Sequence, residues 1–455
     1  IIFMARVPDD IPRLAGIINA EPTTPLSHTN VLAFGWQIPN AIQLGIYDRI
    51  AADQLDGEWV RYRVGLDATE VSLERIEAPI GGPQRPTWLV HQIRLEEPEV
   101  GRTAINDLDE LRITDRYRYG TKAANLGELR YVLDHGSERM LGFYNVKRPP
   151  RENLRPFAAQ FLGLPENAAP DAISQAAWRF LREKVKVPRG IAIPFSIQQE
   201  FLESSPAIQQ GIGKLKMALE LNARQIDVLC LDLQEMIRRT RLPERIRRYI
   251  DNRVAFCLSG VESFVVRSSS NAEDLENFSA AGIYESINHV TTADRIFESI
   301  REVWISLLSP RSVRLRHEVG ISLDHCYMGV ILQEEVRADL GGVMVTTNPT
   351  NPQGDFRNVY INATRKSVEN VVQGSEAPIQ CLFNTVEGGG RTLSLGSAEH
   401  DLSASEKAQL QQLAFVGRLL QSHFSPDYTF RRPVDIEWLI NEEGIHILQL
   451  RPYSQ

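Results

Sequence analysis

Residues 434–452 read VDIEWLINEEGIHILQLRP, and this stretch decides how the carboxyl-terminal part of the chain folds. Its first half alternates apolar and mostly charged residues, with the two-residue period of a strand. The tetrapeptide at 441–444, NEEG, supplies turn residues, and a second apolar run follows it. The stretch therefore predicts a β-hairpin.

The two predicted strands carry polar side chains that could bind a ligand. Because side chains alternate across a strand, Asp435 and Glu437 share one face of the first strand. The same rule places Gln449 and Arg451 on one face of the second strand, together with its two isoleucines. Mg²⁺ binds carboxylate and amide oxygens plus nucleotide phosphates, and arginine holds phosphate oxygens. The hairpin is therefore a candidate site for ATP and a metal ion, and the alternative interpretation is a solvated charged face.

A second polar segment follows an apolar strand at residues 264–275, which read FVVRSSSNAEDL. Arg267 precedes three serines, and the loop predicted there offers hydroxyls, backbone amides and a guanidinium to phosphate oxygens. The small residues at 279–282 could lie against a triphosphate. The alternative interpretation is that the serines and Asn271 form an ordinary turn.

The tripeptide Gly120-Thr121-Lys122 marks the start of a predicted helix. Backbone N–H groups at a helix start, together with the Lys122 ammonium, could hold phosphate. The segment is not a P-loop, because the sequence contains no Gly-x-x-x-x-Gly-Lys-Ser/Thr pattern. A lysine after a glycine is also common on protein surfaces, so this segment is weak support when taken alone.

Residues 23–33 read TTPLSHTNVLA and predict a helix that carries His28 in its first turn. Ser27 or Thr24 could cap this helix, and a phosphoryl group on His28 would meet its positive end. Neutral imidazole is a nucleophile at physiological pH and can pass a phosphoryl group on. The alternative for any one of the nine histidines is a capping or packing role.

Residues 403–424 predict a long helix. Ser403 and Glu406 have the spacing of a capping box, and apolar residues recur on one face of the segment that follows. This apolar stripe indicates a helix packed on the core rather than a cofactor site.

Composition excludes several classes of protein. The chain has 455 residues, of which 43% are hydrophobic and 24% charged, so it is long enough for two or three globular domains. The net charge of −8 provides no basic field for nucleic acid, and no apolar run is long enough to span a membrane. The four cysteines form no Cys-x-x-Cys pair, which favours a reducing compartment. The sequence opens inside a predicted strand without an initiator methionine, so we expect a longer natural chain.

Taken together, these segments resemble one family, the ATP-dependent dikinases that include phosphoenolpyruvate synthase, pyruvate phosphate dikinase and glucan water dikinase. The blocks similar to the nucleotide-binding domain of that family follow its order, at residues 119–129, 187–196, 264–286, 341–349 and 434–452. Residues 26–40 resemble the swivelling phosphohistidine domain. The histidine segment comes first, as in glucan water dikinase, whereas pyruvate-directed members place the nucleotide domain first.

The resemblance implies a fold of the α/β and α+β classes, in which a small swivelling β/β/α phosphohistidine domain precedes an ATP-grasp nucleotide-binding domain. The expected segments are the phosphohistidine domain at 1–95, truncated at its start, a linker at 96–109, and the amino- and carboxyl-terminal ATP-grasp subdomains at 110–340 and 341–455.

The resemblance also assigns roles to individual residues. It implies that Lys122 and Arg267 bind phosphates, that Glu437 and Gln449 hold Mg²⁺ and nucleotide, that Arg451 supports the phosphates, and that His28 is the phosphoryl carrier. The expected cofactors are therefore ATP and Mg²⁺.

The implied function is that of an ATP-dependent phosphotransferase of the dikinase type, which moves a phosphoryl group from ATP to His28 and then to an acceptor. The domain order favours a carbohydrate or other hydroxyl compound as the acceptor, and pyruvate is the alternative. Arg365 and Lys366 stand where many relatives have a small, glycine-containing stretch, which favours a further alternative, a catalytically inactive nucleotide-binding regulatory protein. We expect no nucleic-acid or membrane partner and a cytoplasmic location.

Overall fold

The computed structural model describes residues 1–4, 14–20, 23–27, 30, 33, 38–65, 71–78, 93–149, 153–221, 224–273, 284–351, 354–365 and 377–453. Within these ranges the chain is mixed α/β, as the sequence predicts, with sheets of three, five, seven and two strands. Among the helices described there, none combines the length and the apolar character that crossing a lipid bilayer requires.

The amino-terminal region, up to residue 78, combines a parallel sheet with a hairpin. Its elements are β1 (Ile2–Met4), β2 (Ile17–Asn19), β3 (Asn40–Ile42), α1 (Ile46–Ala52), β4 (Val60–Val64) and β5 (Val71–Arg75). Ile18, Ile46 and Leu73 form a small core that joins the sheet, the helix and the hairpin. The Tyr62 hydroxyl also donates to the backbone oxygen of Ile17 at 2.9 Å, which fixes the hairpin against the parallel sheet.

The middle region builds a five-stranded antiparallel sheet with the strand order β10-β9-β11-β8-β6. In chain order its elements are β6 (Asn106–Asp107), α2 (Arg116–Tyr119), α3 (Thr121–His135), α4 (Gly142–Asn145), α5 (Arg155–Phe161), α6 (Pro170–Lys184), β7 (Val185–Lys186), β8 (Gly190–Ile193), α7 (Phe195–Glu203), α8 (Pro206–Glu220), α9 (Ile226–Arg239), α10 (Glu244–Cys257), β9 (Phe264–Ser270), β10 (Ser286–Val290), α11 (Ala293–Ser306), α12 (Pro310–Glu318) and β11 (Met328–Glu334). Helices α7 to α12 share one apolar core with this sheet, in which Phe201 stacks on Trp304.

Local signals start the helices that cover this sheet. The side chains of Thr292 and Ser309 cap α11 and α12, and Pro310 occupies the first position of α12. Ile296 and Ile300 then recur at helical spacing on the buried face of α11. Capping and periodicity together explain why these segments are helical.

The carboxyl-terminal region forms a seven-stranded sheet with the order β15-β14-β13-β12-β16-β17-β7. Its elements are β12 (Leu340–Val345), β13 (Asn358–Thr364), β14 (Ile379–Asn384), β15 (Gly390–Ser394), α13 (Ala404–Phe424), β16 (Val434–Asn441) and β17 (Gly444–Pro452). The predicted capping box is present at the start of α13, where Ser403 accepts from the Glu406 backbone N–H. The apolar stripe of α13 packs on one face of the sheet, as predicted.

Helices α3 to α6 also pack into the core of the seven-stranded sheet. Leu129, Leu141 and Leu181 share a buried cluster with Leu419 and Ile436. Strand β7, which follows α6 directly, pairs parallel with β17. The predicted segment limits stay a prediction, but these contacts tie helices from the expected amino-terminal subdomain to the carboxyl-terminal sheet.

Strands β16 and β17 form the predicted hairpin, in which Asp435 pairs with Arg451 and Glu437 with Gln449. The register shifts at Leu448, which has no paired residue on β16. Because this β-bulge adds one residue, the two isoleucines of β17 point into the apolar core, whereas Gln449 and Arg451 lie on the opposite face. The prediction that these four residues share a face was therefore wrong.

Residues 268–270 continue strand β9 instead of forming the predicted loop or turn. All three serines are fully buried and pair with β11. Their hydroxyls have partners: the Ser269 hydroxyl accepts from the Ala123 backbone N–H at 3.0 Å, and the Ser270 hydroxyl donates to the Tyr327 carbonyl at 2.9 Å. Because the polar groups are satisfied, the strand extends through a sequence that is typical of a turn.

Candidate functional site

Helix α3 begins in close contact with strand β9. Gly120 has a φ of +87°, and a Cβ at this position would lie 2.1 Å from the backbone oxygen of Ser269. Glycine is required here because it tolerates the positive φ and leaves room for the strand. The approach places Lys122, in the first turn of α3, beside the serines of β9.

Lys122 contacts two groups from the end of β9. Its Nζ lies 2.6 Å from Glu273 Oε1 and donates to the Ser268 hydroxyl at 3.3 Å. The Glu273 side chain is only 3% exposed, so water hardly screens this ion pair. Glu273 was not predicted as a site residue, because a single carboxylate after a strand gives no signal that distinguishes it from a surface residue.

Arg267 reaches from the five-stranded sheet to the seven-stranded sheet. Its Nη1 donates to the backbone oxygen of Leu448, in the bulge of β17, at 2.9 Å. Its Nη2 donates to Gln449 Oε1 at 3.1 Å and to the carboxylate of Glu437. The guanidinium therefore links the two sheets at the point where the predicted site residues meet.

Glu437 is a largely buried carboxylate among three cations, with 17% of its side chain exposed. Burial alone would raise its pKa, but Arg267, Lys122 and Arg451 lower it, and the pKa of Glu437 is held below its usual value. The group is therefore ionised at neutral pH. Five predicted site residues thus lie in one cluster: Lys122, Arg267, Glu437, Gln449 and Arg451.

Arg451 is held by a carboxylate from the neighbouring strand. Its Nε and Nη2 lie 2.9 and 2.8 Å from Asp435 Oδ2. On the same strand, the backbone oxygen of Leu450 accepts from Asn125 Nδ2 of α3 at 2.9 Å. Asp435 was recognised as a polar residue of the hairpin but not predicted as a site residue, and its partner could not be known before the register.

The oxygens of Glu437 and Gln449 both accept from the same nitrogen of Arg267, so they converge on one point. Within the described part of the chain, no cluster of three or more His, Cys, Asp or Glu side chains could hold a metal ion. The pair can therefore supply two oxygen ligands and leaves the remaining positions to other groups. In nucleotide sites, Mg²⁺ is usually coordinated by one or two protein oxygens, and nucleotide phosphates and water complete its coordination shell.

His28 and the small residues at 279–282 lie outside the described residues, but the segment before His28 is described. The Thr24 hydroxyl accepts from Asn362 Nδ2 at 3.3 Å. Asn362 pairs with Val343, which pairs with Glu437, so all three side chains share one face of the sheet. The segment that leads to His28 is therefore seated on the face that carries the charged cluster.

Leu26 adds an apolar contact between this segment and the sheet. It packs against Val345, Tyr360 and Leu382, which form a buried cluster on the same face of the sheet. Since Val345 pairs with Asp435, this cluster directly adjoins the Asp435 side of the charged site. One polar and one apolar contact thus hold the segment against β12, β13 and β14.

A chain of asparagines connects the same segment to the parallel sheet of the amino-terminal region. Asn30 Nδ2 donates to the Thr23 hydroxyl at 2.5 Å and to the Thr24 backbone oxygen at 2.7 Å. Asn40 donates to Asn30 Oδ1 at 2.7 Å, and Asn19 donates to Asn40 Oδ1 at 3.2 Å. These bonds fix the backbone on both sides of His28 to strands β2 and β3.

Arg365, which supported the alternative of an inactive protein, is bound at the start of α13. Its Nε and Nη2 lie 2.7 and 2.8 Å from the carboxylate oxygens of Glu406. Arg365 therefore adds to the hydrogen bonds of the capping box, and its guanidinium pairs with Glu406 rather than with the Glu437 cluster. Lys366 lies outside the described residues.

Comparison with known proteins gives a family match. The family described as the AMP/ATP-binding domain of pyruvate phosphate dikinase matches residues 176–455. This range includes Arg267 and the site residues of the hairpin, whereas Lys122 and His28 precede it.

Three relatives extend this comparison. A rifampicin phosphotransferase from Streptomyces sp is 25% identical over 59% of this chain and 32% of its own length. A probable phosphoenolpyruvate synthase from Archaeoglobus fulgidus is 27% identical over 60% of this chain and 38% of its own. An uncharacterized phosphotransferase from Bacillus subtilis is 28% identical over 42% of this chain and 24% of its own. The chain therefore spans a quarter to two fifths of the length of these relatives.

Proposed function

The chain belongs to the family of the pyruvate phosphate dikinase AMP/ATP-binding domain, and from this premise we propose that it transfers a phosphoryl group from ATP to His28 and then to a second substrate. In this proposal residues 110–455 form an ATP-grasp unit, and residues 1–95 form the swivelling phosphohistidine domain. The overall reaction converts ATP, water and an acceptor hydroxyl into AMP, phosphate and the phosphorylated acceptor.

Lys122, Arg267 and Arg451 are the groups that would hold the triphosphate. Each of the three cations is paired with a carboxylate. Bound nucleotide phosphates would therefore either take the place of these carboxylates or share the cations with them. Glu437 and Gln449 would hold Mg²⁺, which supplies positive charge that offsets the charge developing on the phosphates during transfer. The ionised state of Glu437 supports this role, because a metal ligand must be deprotonated.

The observation that supports the proposal most strongly is that residues 23–27 pack against the face of the sheet that carries Glu437. Thr24 touches Asn362, which stands in the same row of the sheet as Glu437. Neighbouring strands lie about 4.8 Å apart, so two strand spacings separate Asn362 from Glu437 by about 10 Å. A histidine four residues beyond Thr24 is within reach of a phosphoryl group bound at the charged cluster.

The transfer step requires little covalent chemistry from the protein. The neutral imidazole of His28 attacks the β-phosphorus in line, the bond from the β-phosphorus to the oxygen that bridges to the α-phosphorus breaks, and AMP leaves. Water then cleaves off the γ-phosphoryl group as phosphate, so that the β-phosphoryl group stays on His28. The cations and the positive start of the predicted helix stabilise the charge. The phosphohistidine domain then moves on the linker at 96–109 to deliver the phosphoryl group elsewhere.

The acceptor is the second part of the proposal. The relatives include one named for rifampicin and one named a probable phosphoenolpyruvate synthase, so the acceptors of related proteins differ. We favour a carbohydrate or other hydroxyl compound over pyruvate, because the order of histidine and nucleotide segments is that of glucan water dikinase. We also propose that the protein is located in the cytoplasm.

Incubation of the protein with Mg²⁺ and β-³²P-ATP tests the first transfer. We expect acid-labile, base-stable label on the wild-type protein with formation of AMP, and no label on His28→Ala. Equal ATP binding by both proteins, measured by calorimetry, is the control. ATP binding without any label on the wild type would instead indicate the regulatory nucleotide-binding protein.

A further inference from the structure

A cavity of about 200 Å³ lies among helices α7, α8 and α9 and the segments that flank α12. Much of its wall is apolar and includes Leu202, Ile212, Leu215 and Leu233. None of the residues that line it belongs to the charged cluster around Glu437. The cavity is therefore separate from the proposed ATP site.

One wall of the cavity carries a buried cation, Arg316, whose side chain is almost completely enclosed. Its Nε donates to the Ser312 backbone oxygen at 3.1 Å, its Nη2 donates to the Leu307 backbone oxygen, and its Nη1 donates to Cys326 Sγ at 2.6 Å. Among the described residues, no carboxylate lies within ion-pairing distance of this guanidinium. A buried charge normally has an ionic partner or a complete set of hydrogen bonds.

Arg418 shows what a complete set of neutral partners looks like. Its five N–H groups donate to five acceptors, at Thr346, Phe356, Asn358, Thr385 and Gln421. Arg316 makes three such bonds, so one N–H on each terminal nitrogen has no acceptor in the described part of the chain. The open donors and the uncompensated charge both belong to a residue that lines a cavity.

The other charged residues of the wall do not supply the missing counter-charge. Lys216 pairs with Asp324, and the Glu203 carboxylate accepts from Gln199 at 2.8 Å. We infer that the cavity is a binding site for a short aliphatic carboxylate, with the carboxylate on Arg316 and the alkyl part against the leucines. Planar guanidinium donors match a carboxylate, and the leucines and Ile212 offer apolar surface to the alkyl part beside the polar half of the wall. This inference is independent of the proposed transfer to His28.

Cys326 provides a reporter inside the cavity, because its Sγ contacts the same guanidinium. Iodoacetate and iodoacetamide alkylate the same thiolate: the sulfur attacks the methylene carbon, iodide leaves and the thiol proton goes to solvent. The two reagents differ in that only iodoacetate carries a carboxylate. Cys257, half-buried on α10 and outside the cavity, is an internal control for the intrinsic reactivity of the reagents.

The experiment treats the full chain with each reagent and quantifies both cysteines by peptide mass spectrometry. We expect the iodoacetate-to-iodoacetamide rate ratio to be higher at Cys326 than at Cys257 by about tenfold, because the bound carboxylate holds the reactive carbon near the sulfur. Butyrate should slow the reaction of Cys326 and leave that of Cys257 unchanged. Ile212→Phe, which narrows the cavity, should abolish the protection by butyrate without changing the rate at Cys257.

Equal ratios at the two cysteines, or no protection by butyrate, would overturn the inference. So would a Cys326 that reacts with neither reagent until the protein is denatured, because the cavity would then be closed to small anions. Since these readings come from the wild-type chain, they do not depend on whether Arg316 variants fold.

Discussion

Two buried arginines, Arg267 and Arg418, belong to opposite sides of the seven-stranded sheet and differ in what holds them. Arg418, on the helix that packs against the apolar face, donates to three backbone oxygens and two neutral side chains. Burial lowers its pKa to about 9. Arg267, on the other face, donates to one backbone oxygen and to the side chains of Glu437 and Gln449.

The two arginines show that the same type of side chain can stabilise the fold or form part of a binding site. The backbone acceptors of Arg418 are fixed by the fold, so this guanidinium has no bond to exchange. The side-chain acceptors of Arg267 can turn toward a cation while the guanidinium turns toward phosphate.

Replacement of Arg418 by methionine should cause the largest loss of stability. The substitution leaves the buried carbonyls of Thr346, Phe356 and Asn358 without donors, and we expect the free energy of unfolding to fall by about 3–5 kcal/mol. Urea-induced unfolding measures it. Arg239→Met, at an exposed arginine paired only within its helix, is the matched control and should change little. A loss below about 1 kcal/mol for Arg418→Met would mean that its carbonyls find other partners.

Replacement of Glu437 by glutamine should instead act on the reaction. It keeps the shape of the side chain but removes the negative charge proposed to hold Mg²⁺, and we expect His28 labelling to slow by about 100- to 1,000-fold. The rate of label incorporation from β-³²P-ATP measures it. The urea midpoint of Glu437→Gln should also fall, because the lowered pKa of Glu437 means that its charge stabilises the folded protein. A cooperative urea transition, with the variant fully folded in the absence of urea, is therefore the control for the labelling assay. A normal labelling rate would remove Glu437 from the proposed site.

The fold could be predicted from the sequence where the signals are local. The capping box of Ser403 and Glu406 and the alternation around the turn at 441–444 each involve residues close in the chain, and the helix and hairpin are present. The bulge at Leu448 could not be predicted, because strict alternation contains no information on an extra residue. Its carbonyl is stabilised by Arg267, which is 181 residues away in sequence.

The candidate site could be predicted only in part, and for a related reason. The five clustered residues came from a resemblance, since charge patterns alone left the hairpin and the serines open to ordinary interpretations. Glu273 and Asn362 were not predicted as site residues, because their partners come from distant segments. Asp435 was not predicted because its pairing with Arg451 depends on the register of the hairpin. Period-two alternation predicts the face of a side chain but not the residue that will meet it there.

Glu128 extends the comparison to a carboxylate that, like Arg267, is held by two side chains and one backbone group. It accepts from His423, Arg112 and the Ile113 backbone N–H at 2.8 to 3.3 Å, and these groups lower its pKa to about 2. A carboxylate with a depressed folded pKa stabilises the protein above its unfolded pKa, and this contribution is lost as the pH falls toward the folded pKa. Replacement by glutamine should therefore cost about 2–3 kcal/mol at pH 7.

The pH dependence of that cost is the decisive measurement for Glu128. Urea unfolding of wild type and Glu128→Gln should give a constant difference above pH 5, which falls to less than about half by pH 3. Glu235→Gln, at an exposed carboxylate that pairs with Arg238 and Arg239, serves as the control for a solvated pair. A difference that does not change with pH would show that Glu128 acts through packing rather than through its charge.

The smallest effect is expected for the contacts that hold the segment before His28 against the seven-stranded sheet. Thr24→Val preserves the shape of the side chain and removes the hydroxyl that accepts from Asn362, a buried residue whose Oδ1 already has no partner among the described residues. One net hydrogen bond corresponds to a change of about 2- to 10-fold in the population of the seated state. We expect His28 labelling to slow by that factor with ATP affinity unchanged, whereas Thr103→Val in the connecting segment should leave both unchanged. A slower rate that persists at saturating ATP would place the seat on the path of transfer, while an unchanged rate would mean that the phosphoryl group reaches His28 from another arrangement.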